Sequence, residues 1–246
     1  MSAFKDHFSR QADAYSRYRP GYPPELIAYV AELAPSRGLA VDCATGSGQA
    51  AVALARHFER VIAVDGSVPQ LLRALPAAGV TYVAALAERL PLRAGCAALV
   101  TAAQAAHWFD FVRFHAECRR VLCSSGLVAA WTYGKFHVDA VLDAVVDHFY
   151  EDVIGRYWPP ERHYVEDGYR NLPFPFAEES VPGFTLVTEW DLDQVLGYIG
   201  SWSAVQRCRD STGTDPLPEL RRALAPHWEG RSRRLEWPLH LKVGRV

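Results

Sequence analysis

The sequence predicts a doubly wound α/β fold on a mostly parallel, seven-stranded sheet. Short apolar runs alternate with helical stretches as far as Gly134, the rhythm of a parallel sheet with crossover helices. "VDCATGSGQAA", Val41 to Ala51, reads as a strand, a small-residue turn and a helix. The 246 residues, half of them hydrophobic, suit one α/β domain with insertions or two small domains.

The elements follow in order. A first segment to about Arg19 is aromatic and charged, and "RPGYPPEL" breaks the chain and opens a helix through Ala34. "LAVDCA" is a buried strand and "QAAVALARHF" a helix of small residues that packs closely on a sheet. "RVIAVDGS" is a second strand, and Ser67 caps the helix "VPQLLRAL". "VTYVAAL" and "CAALVTAAQ" are the third and fourth strands, "FVRFHAECRRVL" an amphipathic helix, and "GLVAAWTYG" the fifth strand. Beyond Gly134, "VDAVLDAVVDHFYEDVI" is helical and "RYWPPERHYVEDGYRNLPFPF" irregular, aromatic and proline-rich. Such a stretch inside an α/β chain reads as a specificity segment or lid. "FTLVTEWDL" resumes as a strand, two helical stretches follow around 193–208 and 217–228, and "LEWPLHLKVGR" closes the sheet. The chain thus divides into an N-terminal cap (1–35), a cofactor-binding core (36–134), a lid (135–180) and a completing part (181–246) of one domain.

Composition removes several classes. A net charge of −2 gives no global attraction to nucleic acid. Five cysteines without a CxxC pair indicate neither a disulfide framework nor a metal site. The polar start is no signal peptide, and no apolar run reaches membrane-spanning length. A cytoplasmic protein, monomer or homodimer, acting on a small molecule is expected. The excess of arginine over lysine points to a bacterial genome.

Gly46-x-Gly48-x-x-Ala51 satisfies a dinucleotide fingerprint, and Asp65 ends the next strand where an acid accepts ribose hydroxyls. So far NAD and S-adenosylmethionine fit equally. Asp42, at the strand end before the turn, tilts the choice. It would repel a pyrophosphate and suits a phosphate-free cofactor with a cationic amino-acid end. Ala44 stands where a first glycine is usual. It is tolerable at negative φ, whereas a positive φ there would weaken cofactor binding.

"VDCATGSGQAA", "VIAVDGS", "AERLPL", "TAAQAAHWFD" and "RVLCSSGLVAAWTYG" together resemble class I S-adenosylmethionine-dependent methyltransferases. Within that class, "YSRYRPGYP", "GYIGSWSA" and "PLHLKVGR" are similar to the small-molecule group that includes trans-aconitate methyltransferase. The resemblance implies a Rossmann-like methyltransferase fold with an antiparallel last strand, and S-adenosylhomocysteine as the product of the cofactor. It implies that the turn at Ala44, Gly46 and Gly48 meets the methionine part, with Asp42 organising the loop or reaching the ammonium through water, and that Asp65 holds the ribose, with Gly66 and Ser67 along the adenosine. Leu86 stands where the group usually offers an acid to adenine, leaving apolar and backbone contacts at Leu86, Ala87 and Glu88. Gln104 is placed near the methionine part, and Tyr15 and Arg19 over the cofactor, Arg19 against its carboxylate. His107 and Trp108 are placed at the transferring methyl. Tyr18, Trp131, Tyr133, Arg156 and Tyr157 wall the acceptor site, with Arg162 and Arg170 as further lid cations.

A carboxylate acceptor needs no base; an alcohol, phenol or amine is helped by one, and His107 is then the first candidate. Two rival readings remain: an NAD-dependent oxidoreductase and a catalytically silent cofactor-binding module.

Overall fold

The computed structural model describes residues 18–228 and 230–246. Strands β1 (Leu39–Cys43), β2 (Arg60–Asp65), β3 (Val80–Ala84), β4 (Ala97–Ala103) and β5 (Leu122–Tyr133) pair in parallel in the order β3-β2-β1-β4-β5. Beyond β5, β6 (Ala177–Glu178), β7 (Phe184–Trp190) and β8 (Arg233–Arg245) complete the sheet. β8 runs antiparallel beside β5 and pairs in turn with β7 and β6. All seven expected strands are present. The eighth, β6, is two exposed residues with no apolar run to announce it.

β1 and β4 are buried nearly throughout, as strands covered on both faces must be. One hydrophobic cluster, including Leu26, Leu54, Trp131 and Trp237, lies apart from a second built on Val41, Val100, Phe114 and Tyr169. Helix α1 (Pro24–Leu33) starts on proline and ends before Pro35, where Ala34 is already extended. Helices α2 (Gln49–Leu54) and α3 (Val68–Leu71) are shorter than their sequences suggest. The chain after α3 is drawn back, with the Leu75 amide donating to the Ser47 carbonyl at 3.0 Å.

Asp110 caps α4 (Phe111–Val121), and Asp139 caps α5 (Ala140–His148), each through its carboxylate. A turn of π-helix and one of 3-10 helix then lead to α6 (Arg162–Glu166). A capping box of Asp191 and Gln194 opens α7 (Leu192–Gly200), followed by α8 (Ser203–Thr212) and α9 (Leu217–Trp228). The strand order reverses between β1 and β4, so the crevice for a ligand opens at their carboxyl ends.

Candidate active site

The turn after β1 is held from below and from the side. Asp42, 1% exposed, accepts hydrogen bonds from the Thr45 hydroxyl at 2.6 Å and the Thr101 hydroxyl at 2.7 Å. Burial pushes its carboxyl up to about 6, against the lowering effect of those two hydroxyls. Its oxygens are directed at neighbours within the fold, so Asp42 supports the turn. A carboxylate turned inward in this way does not discriminate against a pyrophosphate.

Asp65 reaches across from β2, accepting from the Gly46 amide and the Ser67 amide, both at 2.8 Å. The Thr45 amide donates to the Val64 carbonyl at 2.9 Å. These bonds fix the turn so that Ala44, Gly46 and Gly48 all take positive φ, at 52°, 55° and 84°. The expectation of a relaxed Ala44 is therefore corrected: an alanine sits in the left-handed region. Gly48 has a second constraint. A Cβ there would lie 2.2 Å from the Tyr82 hydroxyl oxygen, which itself donates to the Leu75 carbonyl.

A narrow cleft, open to solvent, lies beyond the ends of β4 and β5. Arg19, Gln104, His107, Trp108, Tyr133 and Gly134 line one part, and Trp158, Pro159, Arg162, Tyr198, Trp202 and Ser203 the other. Gln104 leaves β4 with φ at 56°. Its side chain is locked: Nε2 donates to the Tyr133 carbonyl at 2.9 Å, and Oε1 accepts from the Thr132 hydroxyl at 2.6 Å. Such a strained residue, over-determined by its surroundings, is a frequent mark of a working site.

His107, 7% exposed, places Nδ1 2.8 Å from the Tyr169 hydroxyl. The Arg19 side chain donates to the Ser201 hydroxyl at 3.2 Å and lies over the Tyr198 ring at 5.2 Å. Its carbonyl accepts from Gln49 Nε2 at 2.9 Å. The Arg162 Nε donates to the Tyr150 hydroxyl at 2.7 Å, and its guanidinium stacks 4.4 Å from the Trp158 ring centroid. Tyr150 in turn donates to Glu166 at 2.8 Å.

The structure gathers Asp42, Ala44, Gly46, Gly48, Asp65, Gly66 and Ser67 around the ends of β1 and β2, and Arg19, Gln104, His107, Trp108 and Tyr133 in the cleft. Leu86, 42% exposed, and the buried Ala87 follow β3. Glu88 accepts from the Asp110 amide at 3.0 Å, which ties it to the cap of α4. Tyr15 lies outside the described residues.

Tyr18 packs on α7 instead of lining the cleft; a Cβ on Gly197 would meet its ring at 2.6 Å. Three more expected acceptor residues also lie outside the lining of the cleft. Trp131 is wholly buried in the core under the edge of Tyr22, because it sits two residues further from the strand end than Tyr133. Arg156 is exposed away from the cleft, and Tyr157 packs against the core. Of the lid cations, Arg162 enters the cleft and Arg170 stays exposed, donating to the Asp167 carbonyl. Tyr198 comes from α7, Trp202 from the junction after it and Ser203 from the start of α8, in a stretch whose motif gave no hint of a site.

A parallel sheet with this switch point, an antiparallel strand beside β5 and an acid-braced glycine turn define a nucleotide-type cofactor enzyme of the doubly wound class. A family model described as a methyltransferase domain matches residues 41–130. The chain belongs to the class I S-adenosylmethionine-dependent methyltransferases, and S-adenosylmethionine is its methyl donor. A candidate methyltransferase of Dictyostelium discoideum is 34% identical over 225 residues, spanning 90% of this chain and 86% of its own. A solved structure of a candidate type II methyltransferase from Anaeromyxobacter dehalogenans matches with a TM-score of 0.86 and 47% identity, over 93% of this chain and 98% of that one. An uncharacterized methyltransferase of Mycobacterium tuberculosis is 35% identical over 69% of this chain and 65% of its own. These matches establish the class, not the trans-aconitate group within it, and they favour neither rival reading.

The turn's chemistry fits the donor. Ser47 Oγ is buried there with no hydrogen-bond partner among the described residues. Among the described residues no cluster has the make-up of a metal site, and no helix is long and apolar enough to cross a membrane.

Proposed function

We propose that the chain transfers the methyl group to a small organic acid seated in the cleft beneath residues 135–180, which act as its lid. One observation carries this reading: among the described residues lining the cleft, the charged side chains are the cations Arg19 and Arg162, and none is an aspartate or glutamate. The remaining wall is largely aromatic, suited to a flat or unsaturated carbon frame and to the approach of a cationic methyl group. Arg162 has its plane set by Trp158 and its Nε by Tyr150, so its two terminal nitrogens are oriented for a carboxylate.

In this reading Asp65 takes the ribose hydroxyls, Gly66 and Ser67 run beside the adenosine, and Leu86, Ala87 and Glu88 border the adenine. The turn at Ala44, Gly46 and Gly48, braced by Asp42, meets the methionine part together with Gln104, and Arg19 pairs its carboxylate. The donor supplies a methyl carbon made electrophilic by its sulfonium. The protein positions the acceptor and excludes water, and a carboxylate oxygen needs no proton removed. His107 and Trp108 stand at that point of the cleft. The product is a methyl ester. The acting species is taken as a cytoplasmic monomer or homodimer.

Calorimetry with S-adenosylhomocysteine and NADH is the first test; binding of NADH alone would overturn the reading. Asp65→Ala should abolish S-adenosylhomocysteine binding while the fold, read by circular dichroism, persists. A labelled-methyl screen over small acids, phenols and amines should yield base-labile product from acids, and Arg162→Met should raise the acceptor KM roughly 10-fold or more. Label appearing only in phenols or amines would refute the acid acceptor.

A further inference from the structure

Arg162 and Glu166 stand one turn apart on α6, the spacing at which an arginine and a glutamate ordinarily meet as an ion pair. Here they do not meet. The Tyr150 hydroxyl lies between them, accepting from Arg162 Nε at 2.7 Å and donating to Glu166 Oε1 at 2.8 Å. The groups themselves fix the direction of both bonds. A guanidinium has no lone pair to offer, so the single phenolic proton goes to the glutamate. Burial pushes the Tyr150 phenol up, and the proton is retained. Among the described residues no carboxylate pairs with Arg162 directly.

Tyr150 is gripped in this position. It is buried and belongs to the π-helical turn Phe149–Val153 after α5, a departure from α-helix that is frequent at working sites. Its ring lies 4.8 Å from that of Trp158 and meets Trp202 edge-on at 5.6 Å. Lys135, held by Asp147 and Glu151, approaches the same ring to 4.9 Å from its centroid. Trp158 and Trp202 also line the cleft, so the box around Tyr150 is continuous with the wall that an acceptor meets. Glu166 is exposed and is not part of that wall.

We infer that Tyr150 is a positioning residue whose hydroxyl keeps Glu166 from capturing Arg162, so that the guanidinium stays turned to the cleft as an anion-binding group. The inference rests on the acid-acceptor reading of the cleft and deepens it. A phenylalanine at position 150 would keep the ring in its box but leave Arg162 Nε and the Glu166 carboxylate each without this partner, one turn apart on the same helix. The two would then close on each other, and the guanidinium would be neutralised within the inserted segment. An acid is bound by Arg162 only while the phenol holds the two charges apart.

A crystal structure of the full chain carrying Tyr150→Phe tests this without an acceptor. Arg162 should be found paired with Glu166; a guanidinium that stays on Trp158 and faces the cleft overturns the inference. If that variant does not fold, hydrogen exchange in the 15N-labelled wild type decides, with Arg162→Lys identifying the resonance. The Arg162 Nε–H should be protected, and rapid exchange there refutes the hold by Tyr150. Kinetics with the acid most heavily labelled in the methyl screen give a further reading. Tyr150→Phe should raise the KM for that acid about 5- to 10-fold with kcat nearly level, and adding Glu166→Gln should return it to within about 3-fold of Glu166→Gln alone. A hydroxyl that only packs the segment would leave the double variant as impaired as the single one, and that result refutes the spacer role, as does an unchanged KM in Tyr150→Phe. Label confined to phenols or amines refutes the acid-acceptor reading, while the crystal structure of Tyr150→Phe still decides whether the phenol holds the two charges apart.

Discussion

Replacing Ala44 by glycine should make the protein more stable, the reverse of the usual effect of adding a glycine. Ala44 has φ at 52°, and its neighbours allow no escape, since the Thr45 amide is bound to the Val64 carbonyl and the Gly46 amide to Asp65. An L-residue in that region costs about 1–2 kcal/mol. Against this, glycine frees the unfolded chain by about 0.4–1 kcal/mol. The net gain is on the order of 0.5–1 kcal/mol, which at this chain length raises Tm by roughly 1–4 °C. Scanning calorimetry reads the shift, and urea titration reads the free energy at fixed temperature. Titration with S-adenosylhomocysteine separates two cases. If the empty turn already has this shape, affinity stays level; if it relaxes when empty, the variant binds up to about 5-fold more tightly. A fall in Tm would refute the claim that Ala44 is strained.

Other perturbations follow from the same geometry. The Asp42 carboxyl is raised from 3.8 to about 6 in the folded protein, so its contribution to stability is present below pH 4 and is lost as pH rises through 6. Asp42→Asn should flatten that slope, worth at most about 3 kcal/mol, in urea titrations at pH 4 and pH 7. Gly48→Ala combines left-handed strain with a clash against Tyr82 and should cost about 2–4 kcal/mol by urea titration. Tyr82→Phe in the same chain, which removes the atom at 2.2 Å, should recover part of it. Gly197→Ala should displace the Tyr18 ring and lower Tm by several degrees, with S-adenosylhomocysteine binding measured alongside.

The sheet was legible because burial on both faces leaves long apolar strands, and the glycine turn because its residue types answer to backbone angles. Five cleft residues were legible too, since Gln104, His107, Trp108 and Tyr133 stand at or just beyond carboxyl ends of strands and Arg19 precedes the first helix. Trp131 and Tyr133 share a face of β5, and sequence alone does not say how deep the cleft cuts. Arg162 and Arg156 are equally arginines of an irregular stretch, with no periodicity to tell which turns inward. Tyr198 and Trp202 arrive from α7 and the junction after it, far along the chain, by packing that no local pattern records. The positive φ of Ala44 was hidden because alanine ordinarily signals the opposite.

The bond from Gln49 to the Arg19 carbonyl has a kinetic consequence. Gln49 opens the helix that leaves the glycine turn, and Arg19 forms part of the cleft wall. If the donor occupies the turn as proposed, this bond ties its seat to the wall that the acceptor must meet. Compulsory-order addition, donor before acceptor, is the steady-state scheme to expect, with S-adenosylhomocysteine competitive against the donor and noncompetitive against the acceptor.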